Sequence, residues 1–221
     1  MTIVKFKTDP EKELEYFDRF VKSCGTSKLK KESLELISLD KKEAIKRLEE
    51  GYKKEDFIQF VKDLKKEWKK IEKEYFQKVK ESTGLDWQHE RYICYVSLNV
   101  PGLGDLVDKS WDKVILSNIL PANIMKYVLA HELFHLHYFY VCKKEKMPIE
   151  AASVAINESI PILFMLVNPD IGKLFPEITV DRVRKSYQEV DRIIDKLIDV
   201  YKSEKNFIKL INKAIEIDRT K

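Results

Sequence analysis

The amino-acid sequence predicts a mainly α-helical α+β fold, in which a small antiparallel or mixed sheet lies beside a helix pair and further helices flank both. Apolar residues recur with helical spacing towards both ends of the chain, and a long apolar run covers residues 127–140. Between these regions, two short stretches are rich in β-branched and aromatic residues. The 221 residues, 44% of them hydrophobic, are enough to bury a sizeable core in one or two domains.

The first 84 residues predict a charged helical region, and residues 85–221 predict a core that either stands apart from it or packs with it as one domain. An apolar stripe with heptad spacing needs a partner, and a second apolar group upstream could supply it. The stripe contains Phe57, Val61, Leu64, Trp68, Ile71 and Tyr75, and the upstream group contains Leu34, Ile37, Ile45 and Leu48. The Ser-Thr-Gly sequence at residues 82–84 predicts the end of this region.

Two stretches downstream predict the strands of the sheet. Residues 91–100 end at a Pro-Gly-Leu-Gly sequence that is typical of a turn, and Lys113–Ser117 is a second, shorter candidate.

Residues 131–135, His-Glu-Leu-Phe-His, carry the clearest chemical signal in the chain. On a helix, positions i and i+4 lie within about 40° of each other, so His131 and His135 can reach one ion. Glu132 lies beside them, where a general base is needed. A metal ion there would acidify a water while the carboxylate accepts its proton, which is chemistry that hydrolyses peptide bonds. The alternative is a pair of core histidines on a buried helix.

Glu158 is the predicted third ligand, since catalytic zinc usually has three protein ligands. It is the only charged residue in residues 151–169, and an ionised carboxylate in so apolar a stretch needs a cation beside it. A turn at residues 143–147 and Pro148 at the start of the next helix predict a hairpin that brings Glu158 level with the histidines. Pro161 is expected to kink this second helix. A lysine or arginine partner for Glu158 is the alternative.

Other groups near the motif are assigned by their helical positions. His137 lies about 200° round the helix from His135, which predicts that it either supports the metal ligands from behind or packs in the core. Cys142 lies too far along the helix to bind the ion directly. Tyr138 shares the histidine face and is the predicted donor to a reaction oxyanion. Tyr187 is a weaker candidate, because it belongs to an apolar stripe that predicts a buried helix.

With these residues, the chain resembles the gluzincin metallopeptidases, and within them the small peptidase-MA-like proteins. The resemblance rests on the motif at residues 131–135 and on the Asn-Glu pair at residues 157–158, and it covers residues 91–167. A metzincin is excluded, because Tyr138 and Val141 stand where that class needs glycine and a third histidine.

The resemblance implies a zinc-dependent peptidase acting on a peptide or protein substrate. It makes His131, His135 and Glu158 the zinc ligands and Glu132 the general base. It also implies that Lys113–Ser117, the strand before the active helix, is an exposed edge that binds extended substrate through main-chain hydrogen bonds.

Two other functions stay open. A non-catalytic helical module for protein interactions could use the same ion structurally or hold none, and an open coordination position would separate it from an enzyme. Hydrolysis of a non-peptide amide, as in the deformylases, would need a cysteine ligand, and neither Cys94 nor Cys142 lies in a matching motif.

Charge and composition argue against two classes of partner. The 41 basic and 37 acidic residues are interspersed, so no nucleic-acid partner is expected. No membrane partner is expected either, because Asn157, Glu158 and Pro161 interrupt the longest apolar stretch. The first residues lack the apolar core of a signal peptide, and three scattered cysteines favour reduced thiols, so a cytoplasmic protein is expected.

Overall fold

The computed structural model describes residues 2–25, 31–100, 102–104, 110–148, 152–185 and 188–219. They are mainly α-helical and include one small sheet, which confirms the predicted α+β class. Their contacts divide the chain into two units. We call Ile3–Lys70 with Arg91–Glu132 the sheet unit, and Ile71–Glu90 with Leu133–Lys221 the helical unit. The predicted boundary at residue 84 stays a prediction.

The sheet unit contains four strands in the order β1-β2-β4-β3. They are β1 (Ile3–Lys7), β2 (Arg91–Ser97), β3 (Gly102–Gly104) and β4 (Lys113–Ser117). Strands β1, β2 and β4 pair in parallel, so the antiparallel alternative of the prediction is wrong. Only the short β3 runs antiparallel to its neighbour. Parallel pairing requires a long crossover, which the helices between β1 and β2 supply.

The position of β4 corrects two expectations from the sequence. Gly102 pairs with Leu116 and Gly104 with Val114, so β3 covers the side of β4 that was expected to be an open edge. The glycine-rich stretch expected to be a turn is therefore an edge strand. Residues 114–117 are all buried, as is usual for the central strand of a parallel sheet, and an exposed substrate-binding edge at β4 is not retained.

Four helices follow β1. They are α1 (Pro10–Cys24), α2 (Lys31–Ile37), α3 (Lys41–Tyr52) and α4 (Glu55–Thr83), and α4 continues into the helical unit. Helix α4 ends at Thr83, at the stop signal seen in the sequence. In the upstream apolar group, Leu48 is buried, whereas Leu34 and Ile37 are exposed and Leu36 takes the core position.

The helical unit contains the second half of α5 (Ala122–Lys144) and six further helices. These are α6 (Val154–Ile162), α7 (Pro169–Gly172), α8 (Val180–Arg184), α9 (Gln188–Asp191), α10 (Ile194–Ser203) and α11 (Phe207–Arg219), with a π-helix (Leu163–Val167) continuing α6. The predicted helix start at Pro148 is wrong, because α6 begins six residues later, where the Ser153 hydroxyl accepts from Ile156 N at 3.4 Å.

Aromatic rings form the core between α5, the π-helix and α11. Phe134 stacks on Phe164 with centroids 5.2 Å apart, and Phe207 packs edge-on against both.

The apolar stripe at residues 183–201 is divided among α8, α9 and α10, and Tyr187 lies outside the described residues. Of the helices in the described part of the chain, none combines the length and apolar character that a membrane crossing needs.

Glu13 is a buried carboxylate that ties α1 to the end of β2. Only 1% exposed, it accepts from Leu98 N at 3.0 Å, from Asn99 N at 3.0 Å and from Asn99 Nδ2 at 2.6 Å. The Tyr52 hydroxyl of α3 also donates to it. Burial raises the pKa of the Glu13 carboxyl, and hydrogen bonds from Tyr52, Leu98 and Asn99 oppose that rise. One side chain of α1 thus satisfies donors from two other segments of the sheet unit.

Replacing this carboxylate should destabilise the protein. We expect Glu13→Ala to lower the free energy of unfolding by about 3 kcal/mol, because several partly buried donors lose their acceptor. Urea unfolding measures the change. Glu11→Ala, which removes an exposed carboxylate from the first turn of the same helix, is the control and should alter stability by less than about 0.5 kcal/mol. Equal effects of the two variants would contradict this role of Glu13.

Candidate metal centre

The two histidines of the motif lie one turn apart on the long helix α5. This helix is buried on most of its circumference, which fits its nearly continuous apolar sequence. His131 and His135 are each 6% exposed. The ring of Phe139 stacks nearly parallel on that of His135, with centroids 5.7 Å apart and an interplanar angle of 12°. Packing therefore restricts the rotation of an imidazole that would have to face an ion.

Helix α6 runs antiparallel to this part of α5. Three contacts establish the direction: Tyr138 with Asn157, His135 with Glu158, and Phe134 with Phe164. From one contact to the next, the residue number falls along α5 and rises along α6 and the π-helix, so the two helices run in opposite directions. The antiparallel pairing expected from the sequence is therefore present, although α6 starts later than predicted.

This pairing brings His131, His135 and Glu158 together. Each offers one ligand atom, and the three atoms lie within 4.8 Å of one another. His135 Nε2 and Glu158 Oε1 are 3.6 Å apart, and the Glu158 side chain is 23% exposed. Among the residues that the structure describes, no other group of three or more His, Cys, Asp or Glu side chains could hold a metal ion.

The donor set could hold a metal ion, and its chemistry suits zinc. Two ligands about 2.0–2.1 Å from a tetrahedral zinc would lie about 3.4 Å apart, close to the His135–Glu158 separation. Two imidazole nitrogens and one carboxylate are also a usual combination for catalytic zinc. Three protein ligands would leave one position for a water or a substrate. The identity of the metal itself stays a prediction.

Glu132 stays outside this three-residue group, although it follows His131 directly. Its side chain lies about 100° round the helix from His131, so it does not share the ligand face. Unlike the histidines, it is partly exposed. A general base needs access to solvent, and the role of Glu132 as that base stays a prediction.

His137 packs in the core and takes no part in the group. Its ring lies 4.6 Å from that of Trp87, and its Nε2 is 3.2 Å from Thr83 Oγ1. The Thr83 hydroxyl donates to the Val79 carbonyl, so His137 Nε2 must carry the hydrogen of this bond. Burial lowers the pKa of His137 to about 3. The packing role predicted for this neutral histidine is confirmed.

Tyr138 is fully buried, and its hydroxyl donates to Asn157 Oδ1 at 3.3 Å. The hydroxyl also hydrogen-bonds with the Cys142 thiol, and burial raises the pKa of Tyr138, so the phenol stays neutral. Its role as an oxyanion donor stays a prediction. Tyr187 lies outside the described residues. Sequence reasoning assigned no role to Asn157, although a polar residue in an apolar helix signals that a partner is required.

Cys94 of β2 and Cys142 of α5 are buried free thiols. Burial raises the pKa of Cys142 to about 12 and also raises that of Cys94. Neither belongs to the three-residue group. In the described part of the chain, the cysteine ligand that a deformylase-like site requires is therefore missing.

Comparisons of the chain with models of protein families, with curated proteins and with solved structures found no match. The chemistry of the site is therefore inferred from its own residues.

Zinc titration tests the assignment of the ligands. We expect one equivalent of zinc to bind. We also expect His131→Ala, His135→Ala and Glu158→Ala each to weaken binding more than about 100-fold, because loss of a group that merely orients a ligand already costs about 10- to 100-fold in affinity. Glu145→Ala removes an exposed carboxylate beyond the end of α5, and His89→Ala removes a histidine outside the motif. Both controls should bind zinc normally. Undiminished binding by Glu158→Ala would remove it from the ligand set.

Proposed function

We propose that the protein is a zinc-dependent metallopeptidase of gluzincin type, with a peptide or protein as substrate. The observation that carries this proposal is the meeting of Glu158 with His131 and His135. The two histidines follow from helical spacing alone, but Glu158 lies twenty-three residues further on. Its arrival at the same point is the independent support.

In the proposed reaction, His131, His135 and Glu158 hold the ion, and Glu132 moves the proton. A bound zinc ion would supply Lewis acidity towards the scissile carbonyl and the attacking water. The Glu132 carboxylate accepts a proton from that water as it attacks the carbonyl carbon. It then delivers the proton to the amine nitrogen as the carbon–nitrogen bond breaks. Partial exposure of Glu132 is compatible with both transfers.

The number of ligands favours an enzyme over a purely structural site. A structural zinc is almost always held by four protein ligands, whereas a catalytic zinc keeps one position open. The group contains three candidate ligands among the described residues. The partly exposed Glu158 side chain also favours access to the ion by solvent or substrate.

Glu132→Gln separates metal binding from catalysis. The amide cannot accept the proton, so we expect hydrolysis to fall at least about 100-fold while the affinity for zinc is retained. Cleavage of a mixed peptide library by the zinc-loaded protein, followed by mass spectrometry, measures turnover, and Glu145→Gln is the control. Wild-type turnover in Glu132→Gln would refute the general base. A fourth protein ligand detected by X-ray absorption, without cleavage by the wild type, would favour the structural site.

A further inference from the structure

We infer that Tyr138 is a positioning residue, which holds α6 through Asn157 at the level where Glu158 reaches His135. The inference rests on the proposed metal site but does not depend on peptide hydrolysis. It differs from the sequence-based expectation for Tyr138, in which the phenol would donate directly to a reaction oxyanion.

Two contacts between α5 and α6 lie side by side. On α5, His135 and Tyr138 are three positions apart and are therefore neighbours on the helix surface. On α6, their partners Glu158 and Asn157 are consecutive residues. The hydrogen bond from Tyr138 to Asn157 therefore restrains the part of α6 from which Glu158 extends.

Burial makes this hydrogen bond restrictive. Tyr138 is 0% exposed, so water cannot replace Asn157 as a partner of its hydroxyl, and the Cys142 thiol beside it is a weaker acceptor. A shift of α6 by one turn, about 5.4 Å, would separate the phenol from Asn157 and also carry Glu158 away from His135. The arrangement that satisfies the phenol is thus the arrangement that assembles the ligands.

The regularity of α6 alone is a weak restraint on Glu158. Pro161 lies inside this nine-residue helix and has no N–H with which to donate to the Asn157 carbonyl four residues earlier. The hydrogen-bond pattern then changes to a π-helix at Leu163. Helix α6 therefore lacks one backbone hydrogen bond and changes its hydrogen-bond pattern within two turns. A hydrogen bond from a neighbouring helix, beside Glu158, adds a restraint that α6 alone does not supply.

The hydroxyl of Tyr138 also lies at the contact between the two helices. It lies 3.3 Å from the Asn157 acceptor, and Cys142 on the next turn of α5 contacts the same hydroxyl. Because this hydroxyl contacts α6 and not the ion, it acts on the candidate ligand Glu158 through the position of α6. We therefore expect loss of the hydroxyl to change metal binding, and to change turnover only as a consequence.

The experiment measures zinc affinity by competition with a chromophoric chelator, and the visible spectrum of the cobalt-loaded protein. We expect Tyr138→Phe and Asn157→Leu each to weaken zinc binding about 10-fold, as is typical when a group that orients a ligand is lost. The double variant should be no weaker than either single variant, because both changes remove one interaction. Both single variants should also alter the cobalt spectrum.

Two further variants separate positioning from general damage to the fold. Asn157→Asp keeps an acceptor for the phenol and should retain at least wild-type affinity. Tyr75→Phe deletes another fully buried phenol hydroxyl of the helical unit, from a ring that packs on Phe76 and Trp87, and should leave zinc binding unchanged. Urea unfolding of the zinc-free proteins establishes that each variant is folded.

The possible failures are distinct. If wild-type protein binds no zinc, the proposed function and this inference both fail. If wild type binds zinc and Tyr138→Phe binds it equally well with an unchanged cobalt spectrum, only the inference is overturned. Loss of turnover in that variant at unchanged affinity would instead make Tyr138 a catalytic residue.

Discussion

The candidate site depends on how one carboxylate is accommodated in an apolar helix. Glu158 is partly buried, and ionised carboxylates in such surroundings are costly unless a positive charge compensates them. Its Oε1 lies 3.6 Å from Nε2 of the His135 imidazole. A divalent ion shared with His131 would supply the charge that a neutral imidazole lacks. Three features influence this contact between His135 and Glu158. They are the antiparallel pairing of α5 and α6, the hydrogen bond at Asn157 and the interruption of α6 at Pro161.

The site could be predicted further from the sequence than the fold could. His131 and His135 are related by helix geometry, which holds wherever the helix lies, and Glu158 is conspicuous as a lone charge among apolar residues. The role of Asn157 was missed because its partner lies on another helix, and no sequence spacing records that pairing. The candidate ligands could be named from donor chemistry alone. The register of α6 on α5 is a pairing between helices, so only the structure shows it.

The sheet was harder to predict because its pairings are distant in sequence. Strand β1 is five residues long and carries two lysines, so its apolar content is too small to signal a strand. Glycines at 102 and 104 indicated a turn, but main-chain pairing with β4 outweighed that local preference. The start of α6 was misplaced because Pro148 and Ser153 are both helix-start signals, and only Ser153 makes the capping hydrogen bond.

The pairing of β1 with β2 has a consequence for how the chain folds. Ile3 is aligned with Arg91, so four helices lie between two strands that must find each other. Closing a loop of this length is entropically unfavourable, and contacts so far apart in sequence slow folding. Helices α1 to α4 contain local hydrogen bonds and can form before that closure. We therefore expect β1 to join the sheet late, after β2 and β4, which are much closer in sequence, have paired.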